Sequence, residues 1–336
     1  MRYLIAAACA AVFATGVFGA SAPAVADEPI VIKFSHVVAT NTPKGKGAEK
    51  FKELAEKYTN GKVKIEVYPN STLYKDNEEV EALQLGAVQM LAPSLAKFGP
   101  LGAKEFEVFD LPFLFPSKDA LHKVTTGPIG QGLFKKLDSK GILGLAYWDN
   151  GFKIFSANHP LKTPDDMLGL KIRIQSSKVL EAEIKAFGGV PQVLAFSEVY
   201  QALQTGVVDG QENTPSNMYT QKMHEVQKYG VVTNHGYIGY AVIVNKKFWE
   251  GLPADIRGQL DKAMAEATEY SNDISQKEND DAMEAMKKSG RIQFYTPTAA
   301  EMKQWAAAAK PVQDEMASRV GKDLIESIRA TVGASH

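Results

Sequence analysis

The chain has 336 residues, 45% hydrophobic and 23% charged, an ordinary globular composition with length enough for two domains. Lysine plus arginine total 38 against 39 aspartate plus glutamate, a formal charge of -1. That balance excludes a general attraction to nucleic acid or to an anionic membrane, so any preference for anions has to come from a local cluster.

In chain order, 1–26 reads as a secretory leader. Arg2 opens it, an apolar run follows over 4–20, and Ala24-Val25-Ala26 supplies the small-x-small cleavage pattern, so the mature chain is expected to begin at Asp27 in the periplasm. The one cysteine, Cys9, lies inside that run. Ala6-Ala7-Ala8 lacks the leucine of a lipid-attachment site, and the mature protein is left without disulfide, thiol nucleophile or thiolate metal site. No later apolar run is long enough to span a bilayer.

IVIKF at 30–34 reads as a buried strand and 45–59 as an amphipathic helix closed by Asn60-Gly61. VKIEVY at 63–68 alternates as a strand. A helix over 77–85 then leads through Gly86 into a strand at 87–91. The second half repeats this order: strand 170–174, helix 179–187, strand 190–194, helix 198–205 with Ser197 as N-cap, then Gly206 and a strand. Ala82-Leu83-Gln84-Leu85-Gly86-Ala87-Val88 echoes Ala202-Leu203-Gln204-Thr205-Gly206-Val207-Val208. Alone that is how helix-to-strand turns are spelled; with the flanking elements also in correspondence it reads as two similar α/β lobes with mostly parallel sheets. The proline-free stretch 255–289 is either two helices or one long brace across both lobes. The last helical stretch, 298–330, is expected to be interrupted at Pro311.

Catalytic patterns are scarce. There is no G-x-S-x-G, H-E-x-x-H or P-loop, and His36, His122, His159, His224, His235 and His336 show no metal-ligand spacing, so neither metal nor cofactor is expected. Ser94-Leu95-Ala96-Lys97 matches S-x-x-K without its partner motifs. Binding signals are stronger. Trp148-Asp149-Asn150-Gly151-Phe152-Lys153 puts an aromatic, a turn and a cation after a strand at 142–147. Arg173 sits in an alternating strand; such an arginine usually faces water, yet its planar fork suits a buried carboxylate. Gln211-Glu212-Asn213-Thr214-Pro215 follows a strand end, where α/β proteins place ligands.

Lys171-Ile172-Arg173 and the long motif 196–213, FSEVYQALQTGVVDGQEN, resemble the extracytoplasmic solute-binding proteins of TRAP transporters, the DctP family. Tyr68-Pro69-Asn70-Ser71-Thr72-Leu73 and Phe109-Asp110-Leu111-Pro112-Phe113 support the likeness, which covers essentially the whole mature chain. The resemblance implies a two-lobed periplasmic binding protein fold, type II-like, with 27–150 plus 239–278 in one lobe and 151–238 plus 279–336 in the other. It implies a non-enzymatic, monomeric receptor that hands its ligand to TRAP membrane subunits. Arg173 falls on the family's carboxylate-pairing arginine, Asn213 on its cleft asparagine, Phe196 on its cleft aromatic and Lys153 on a second basic position. Ser94 and Lys97 stand where sialic-acid-binding members carry glutamate and arginine. The spellings around His36, 91–98 and 148–153 are similar to the branch that takes four-carbon dicarboxylates.

For a small organic dianion, Arg173 would clamp one carboxylate and Lys97 and Lys153 would neutralise the other. Ser94, His36 and Asn213 would complete the hydrogen bonds, Phe196 would cover the carbon chain, and Trp148 would lie alongside. A monocarboxylate, 2-oxoacid or sugar acid in the same cleft, a periplasmic hydrolase using Ser94 and Lys97, and a receptor presenting ligand to a sensor kinase are the competing readings.

Overall fold

A computed structural model describes residues 28–333; the leader read at 1–26 lies outside the described residues. The first lobe begins with β1 (Ile30–Ser35), α1 (Pro43–Tyr58), β2 (Val63–Tyr68), α2 (Glu79–Gln84) and β3 (Met90–Leu91). β1 pairs in parallel with both β2 and β3, as the alternation of strand and helix requires. α1 starts two residues earlier than its apolar periodicity indicates. The Thr42 hydroxyl accepts from the Gly45 N–H, and Pro43 takes the first helical position, where its missing N–H costs nothing. Gly45 is required there because a Cβ would lie 2.4 Å from the Ala39 carbonyl. This start places Lys44 in the first turn.

α3 (Lys118–Thr125) and α4 (Pro128–Leu137) lead to β4 (Ile142–Phe152), the long edge strand. The turn expected at 148–153 is absent. β4 runs on through Phe152, and its register against the partner strand shifts at Asn150, a bulge rather than a reversal.

After Lys153 the chain enters the second lobe. This comprises β5 (Ile154–Ala157), β6 (Lys171–Ile174), α5 (Lys178–Ala186), β7 (Val190–Val193), α6 (Val199–Gln204), β8 (Gly210–Asn213), α7 (Pro215–Thr220) and β9 (Tyr229–Val231). Ser197 caps nothing; it lies inside a 3-10 turn, Phe196–Glu198, that precedes α6. The chain returns through 232–236 to β10 (Tyr237–Asn245), which pairs antiparallel with β3 and β4, and continues through α8 (Lys246–Glu250). The first sheet has the order β2-β1-β3-β10-β4. The second, completed by β11 (Gln293–Tyr295), has the order β11-β9-β5-β8-β6-β7.

Of the two readings of 255–289, one continuous helix is the outcome. α9 (Ala254–Ser289) has 36 residues and is therefore about 54 Å long at 1.5 Å per residue. It packs on α1 and β4 at one end and on α7 at the other, so it braces both lobes. Small buried side chains, Ala263, Ala267, Ser271 and Ser275, let it lie close to its neighbours.

α10 (Ala299–Val320) passes through Pro311 unbroken, and the interruption comes instead at Gly321, whose φ of 103 ends the helix before α11 (Lys322–Val332). α11 packs on α3 and α4, and its Ile325 and Ile328 share a core with Phe106 and Leu121. The end of the chain thus returns to the first lobe, unlike the expected allotment of 279–336 to the second.

Candidate functional site

A cleft of about 360 Å³, counting space open to solvent at its mouth, lies between the lobes. The first lobe supplies Lys44 from α1, Asp76 from the loop before α2, Glu79 from the first turn of α2, and Ser94 and Lys97 from the segment after β3. Lys97 Nζ lies 2.7 Å from Asp76 Oδ2 and 3.4 Å from Ser176 Oγ of the opposite lobe. Lys44 Nζ donates to the Ala92 carbonyl at 2.9 Å and sits 3.8 Å above the Tyr240 ring.

The second lobe supplies Arg173 and Gln175 from the end of β6, Phe196, Asn213 from the end of β8 and Asn217 from α7. Arg173 is 1% exposed. Its Nε and Nη2 donate to the Leu194 carbonyl at 3.1 and 2.9 Å, and its guanidinium carbon lies 5.8 Å from the Phe196 ring centre. One edge of the fork is thereby fixed, and the donors of Nη1 remain for a carboxylate. Asn213 is oriented by its oxygen, which accepts from the Thr214 N–H at 3.0 Å and from Asn217 Nδ2 at 2.9 Å. Its own amide N–H groups therefore face away from those partners as donors.

The cleft charges are strongly coupled. Burial works against the Asp76 carboxylate, but Lys97 and Arg173 outweigh it and hold its pKa below the usual value. Burial lowers the pKa of Lys97 and of Arg173, with Asp76 opposing the loss of charge in both. Glu79 is pushed up to about 8 by burial, against the pull of Lys44; Lys44 falls to about 8 by burial, against the pull of Glu79 and Asp76. With Glu79 neutral, three cations face one carboxylate. Two positive charges are left over, as many as a dianion carries negative ones.

Five of the residues singled out in the sequence, Arg173, Asn213, Phe196, Ser94 and Lys97, line this cleft. Three do not. Lys153 lies fully buried between the crossing segments, its Nζ 2.5 Å from Glu212 Oε2 and its stem against Gly236, where a Cβ would come within 2.4 Å. Burial opposes its charge, but Glu212, Glu183 and Asp110 together raise its pKa. Glu212 also accepts from His235 at 3.0 Å and is drawn down to about 2, burial notwithstanding, by Lys153 and His235. Glu183, Glu212 and His235 could each offer a metal one atom within 4.8 Å of the others, yet Lys153 already supplies positive charge there.

His36 is buried at the end of β1, edge-on to Phe34, and is lowered to about 3 by burial and by Lys44. Trp148 belongs to the core: it packs on Phe34, and its Nε1 donates to Thr268 Oγ1 of α9 at 2.8 Å. Lys44, Asp76, Glu79, Asn217 and Tyr240, which line the cleft, carried no sequence signal that singled them out. Only Thr42-Pro43, a helix start, could have brought Lys44 inward.

Two α/β lobes joined by crossing strands, with a charged cleft between them and a long helix behind, define a two-lobed solute-binding protein. The chain matches the family model DctP, bacterial extracellular solute-binding protein family 7, over residues 34–319, and it belongs to that family. It is 69% identical over 310 residues to the C4-dicarboxylate-binding periplasmic protein DctP of Rhodobacter capsulatus, covering 92% of this chain and 93% of that one. A TRAP periplasmic solute-binding protein from Shewanella oneidensis with bound succinate superposes with a TM-score of 0.89 at 45% identity, covering 91% of this chain and 100% of that one. A counterpart from Pseudomonas aeruginosa with bound L-malate gives 0.83 at 44% identity, covering 85% and 100%. No described helix is long and apolar enough to cross a membrane.

Proposed function

We propose that the protein captures a four-carbon dicarboxylate, succinate, malate or fumarate, in the interlobe cleft and delivers it to TRAP membrane subunits. The observation that carries this reading is the convergence of Lys44, Lys97 and Arg173 on one cleft that also holds Phe196 and Ile238. A dianion stripped of water needs fixed positive partners at both ends, and its carbon chain needs an apolar wall. The names of the relatives at 69% and 45% identity agree. Arg173 would clamp one carboxylate, Asn213 and Ser94 would complete its hydrogen bonds, and Lys44 and Lys97 would face the other. Because both lobes contribute, ligand favours the closed form, and closure follows from that difference in affinity. The mature chain would begin at Asp27, exported to the periplasm as a monomer.

A hydrolase built on Ser94 and Lys97 is disfavoured, since Lys97 Nζ is paired with the Asp76 carboxylate at 2.7 Å rather than with the Ser94 hydroxyl. Calorimetry of the mature protein near pH 7 tests the proposal. Succinate and malate should bind at least about a hundredfold more tightly than pyruvate or galactonate, the equivalent of about 2.7 kcal/mol. Tighter binding of pyruvate or of the sugar acid would overturn it.

A further inference from the structure

Lys44 and Glu79 enter the cleft from two successive helices of the first lobe, α1 and α2. Resting on the dicarboxylate reading above, we propose that the site takes up a proton together with its dianion, and that Glu79 holds this proton while Lys44 stays charged as a cationic pole.

The geometry separates the two roles. The Lys44 ammonium is held by the Ala92 carbonyl and by the face of the Tyr240 ring, contacts that favour a cation and do not involve Glu79. Glu79 is 1% exposed, and its Oε2 has no hydrogen-bond partner. An ionised carboxylate left there without donors is costly, and the charge of Asp76 adds to the cost. A ligand with two more negative charges in the same cleft makes the ionised form costlier still. A protonated Glu79 avoids that repulsion.

Apart from Lys97, whose pKa burial also lowers, the groups facing the pair leave Lys44 and Glu79 to titrate, and the contacts above assign the proton to Glu79. Asp76, in the loop before α2, is held ionised by Lys97 and Arg173. Lys97 is engaged by Asp76, and Arg173 is an arginine. His36, at the end of β1, is neutral, its pKa lowered to about 3; Tyr240, on β10, keeps its proton, its pKa raised by burial to about 12. Without ligand, the Lys44 and Glu79 pair begins to lose a proton at about pH 8. The dianion moves that loss to higher pH, so binding above this point draws a proton from solvent.

Succinate calorimetry at about pH 8.5 in borate and in Tris, buffers of different protonation enthalpy, reads the proton directly. The wild-type protein should take up at least about half a proton, and its affinity should fall by up to about tenfold per pH unit above that point. Glu79→Gln should bind with no uptake at the same pH. Zero uptake by the wild-type protein, or uptake that persists in Glu79→Gln, would overturn the inference. Should that variant fail to fold, an infrared difference spectrum of the wild-type protein with ¹³C-labelled succinate decides: a protein carboxylic-acid band should be gained, and none would refute it. Absence of succinate binding near pH 7 would instead refute the proposed function, so the two failures are distinguishable.

Discussion

Asp76 and Phe196 meet across the cleft: the Phe196 N–H donates to Asp76 Oδ1 at 3.1 Å, while Oδ2 lies 2.7 Å from Lys97 Nζ and 3.9 Å from Arg173 Nη2. A carboxylate of the protein thus stands beside two cations of the cleft and ties the lobes together. Lys75 and Glu198 add a more exposed interlobe pair at 2.8 Å.

Asp76→Asn keeps an oxygen for the Phe196 N–H but removes the counter-charge of Lys97 and Arg173. The unliganded variant should melt at a lower temperature than wild type, and saturating succinate should raise its melting temperature by more than it raises that of wild type. Equal ligand-induced shifts would mean that Asp76 is not a stand-in for substrate charge.

Lys153 and Glu212 form a buried pair at the crossing segments rather than part of the cleft. Lys153→Met leaves the carboxylate without its cation and should destabilise the fold by about 3–5 kcal/mol. Adding Glu212→Gln should restore much of that loss, and a double-mutant cycle in urea measures it. Additive losses would rule out the coupling.

Trp148→Phe should lower stability by about 1–3 kcal/mol, through the lost bond to Thr268 and a partly empty site in the core. Succinate affinity at low temperature should be unchanged, because Trp148 does not line the cleft. A large affinity loss without destabilisation would put the indole in the site.

Asp110 is fully buried and is raised from 3.8 to about 7 by burial, which outweighs the pull of Lys153. The folded protein therefore holds this proton more tightly than the unfolded chain. Its contribution to stability is complete below about pH 4 and is lost as pH rises through 7. Asp110→Asn cannot ionise, so its melting temperature relative to wild type should climb between about pH 4 and pH 8. A difference that stays constant across that window would contradict the assignment.

The order of strands and helices was legible because each element carries its own periodicity, and the long motif ending at Asn213 pointed to one cleft wall. The other wall was hidden for physical reasons. Lys44 sits in a lysine-rich amphipathic helix, GKGAEK following Pro43-Lys44, where a solvent-facing role is the ordinary expectation; only the Thr42 cap turns it inward. Asp76 lies in the polar loop Lys75-Asp76-Asn77, which has no periodicity to read. Lys153 misled for the opposite reason. Its place after an aromatic strand looked like a ligand position, whereas the bulge at Asn150 carries the strand onward and buries the lysine against Glu212. A proline inside a helical stretch ordinarily marks a break, but α10 carries Pro311 within it and stops at Gly321.

The account depends most on Arg173 as the clamp for a substrate carboxylate. Titrating succinate into wild type, Arg173→Ala and Arg173→Lys by calorimetry near pH 7 is the direct measurement. Truncation should cost about 3–5 kcal/mol of binding, and lysine, which lacks the fork, should bind poorly as well. Wild-type affinity in either variant, with the fold intact, would contradict the account.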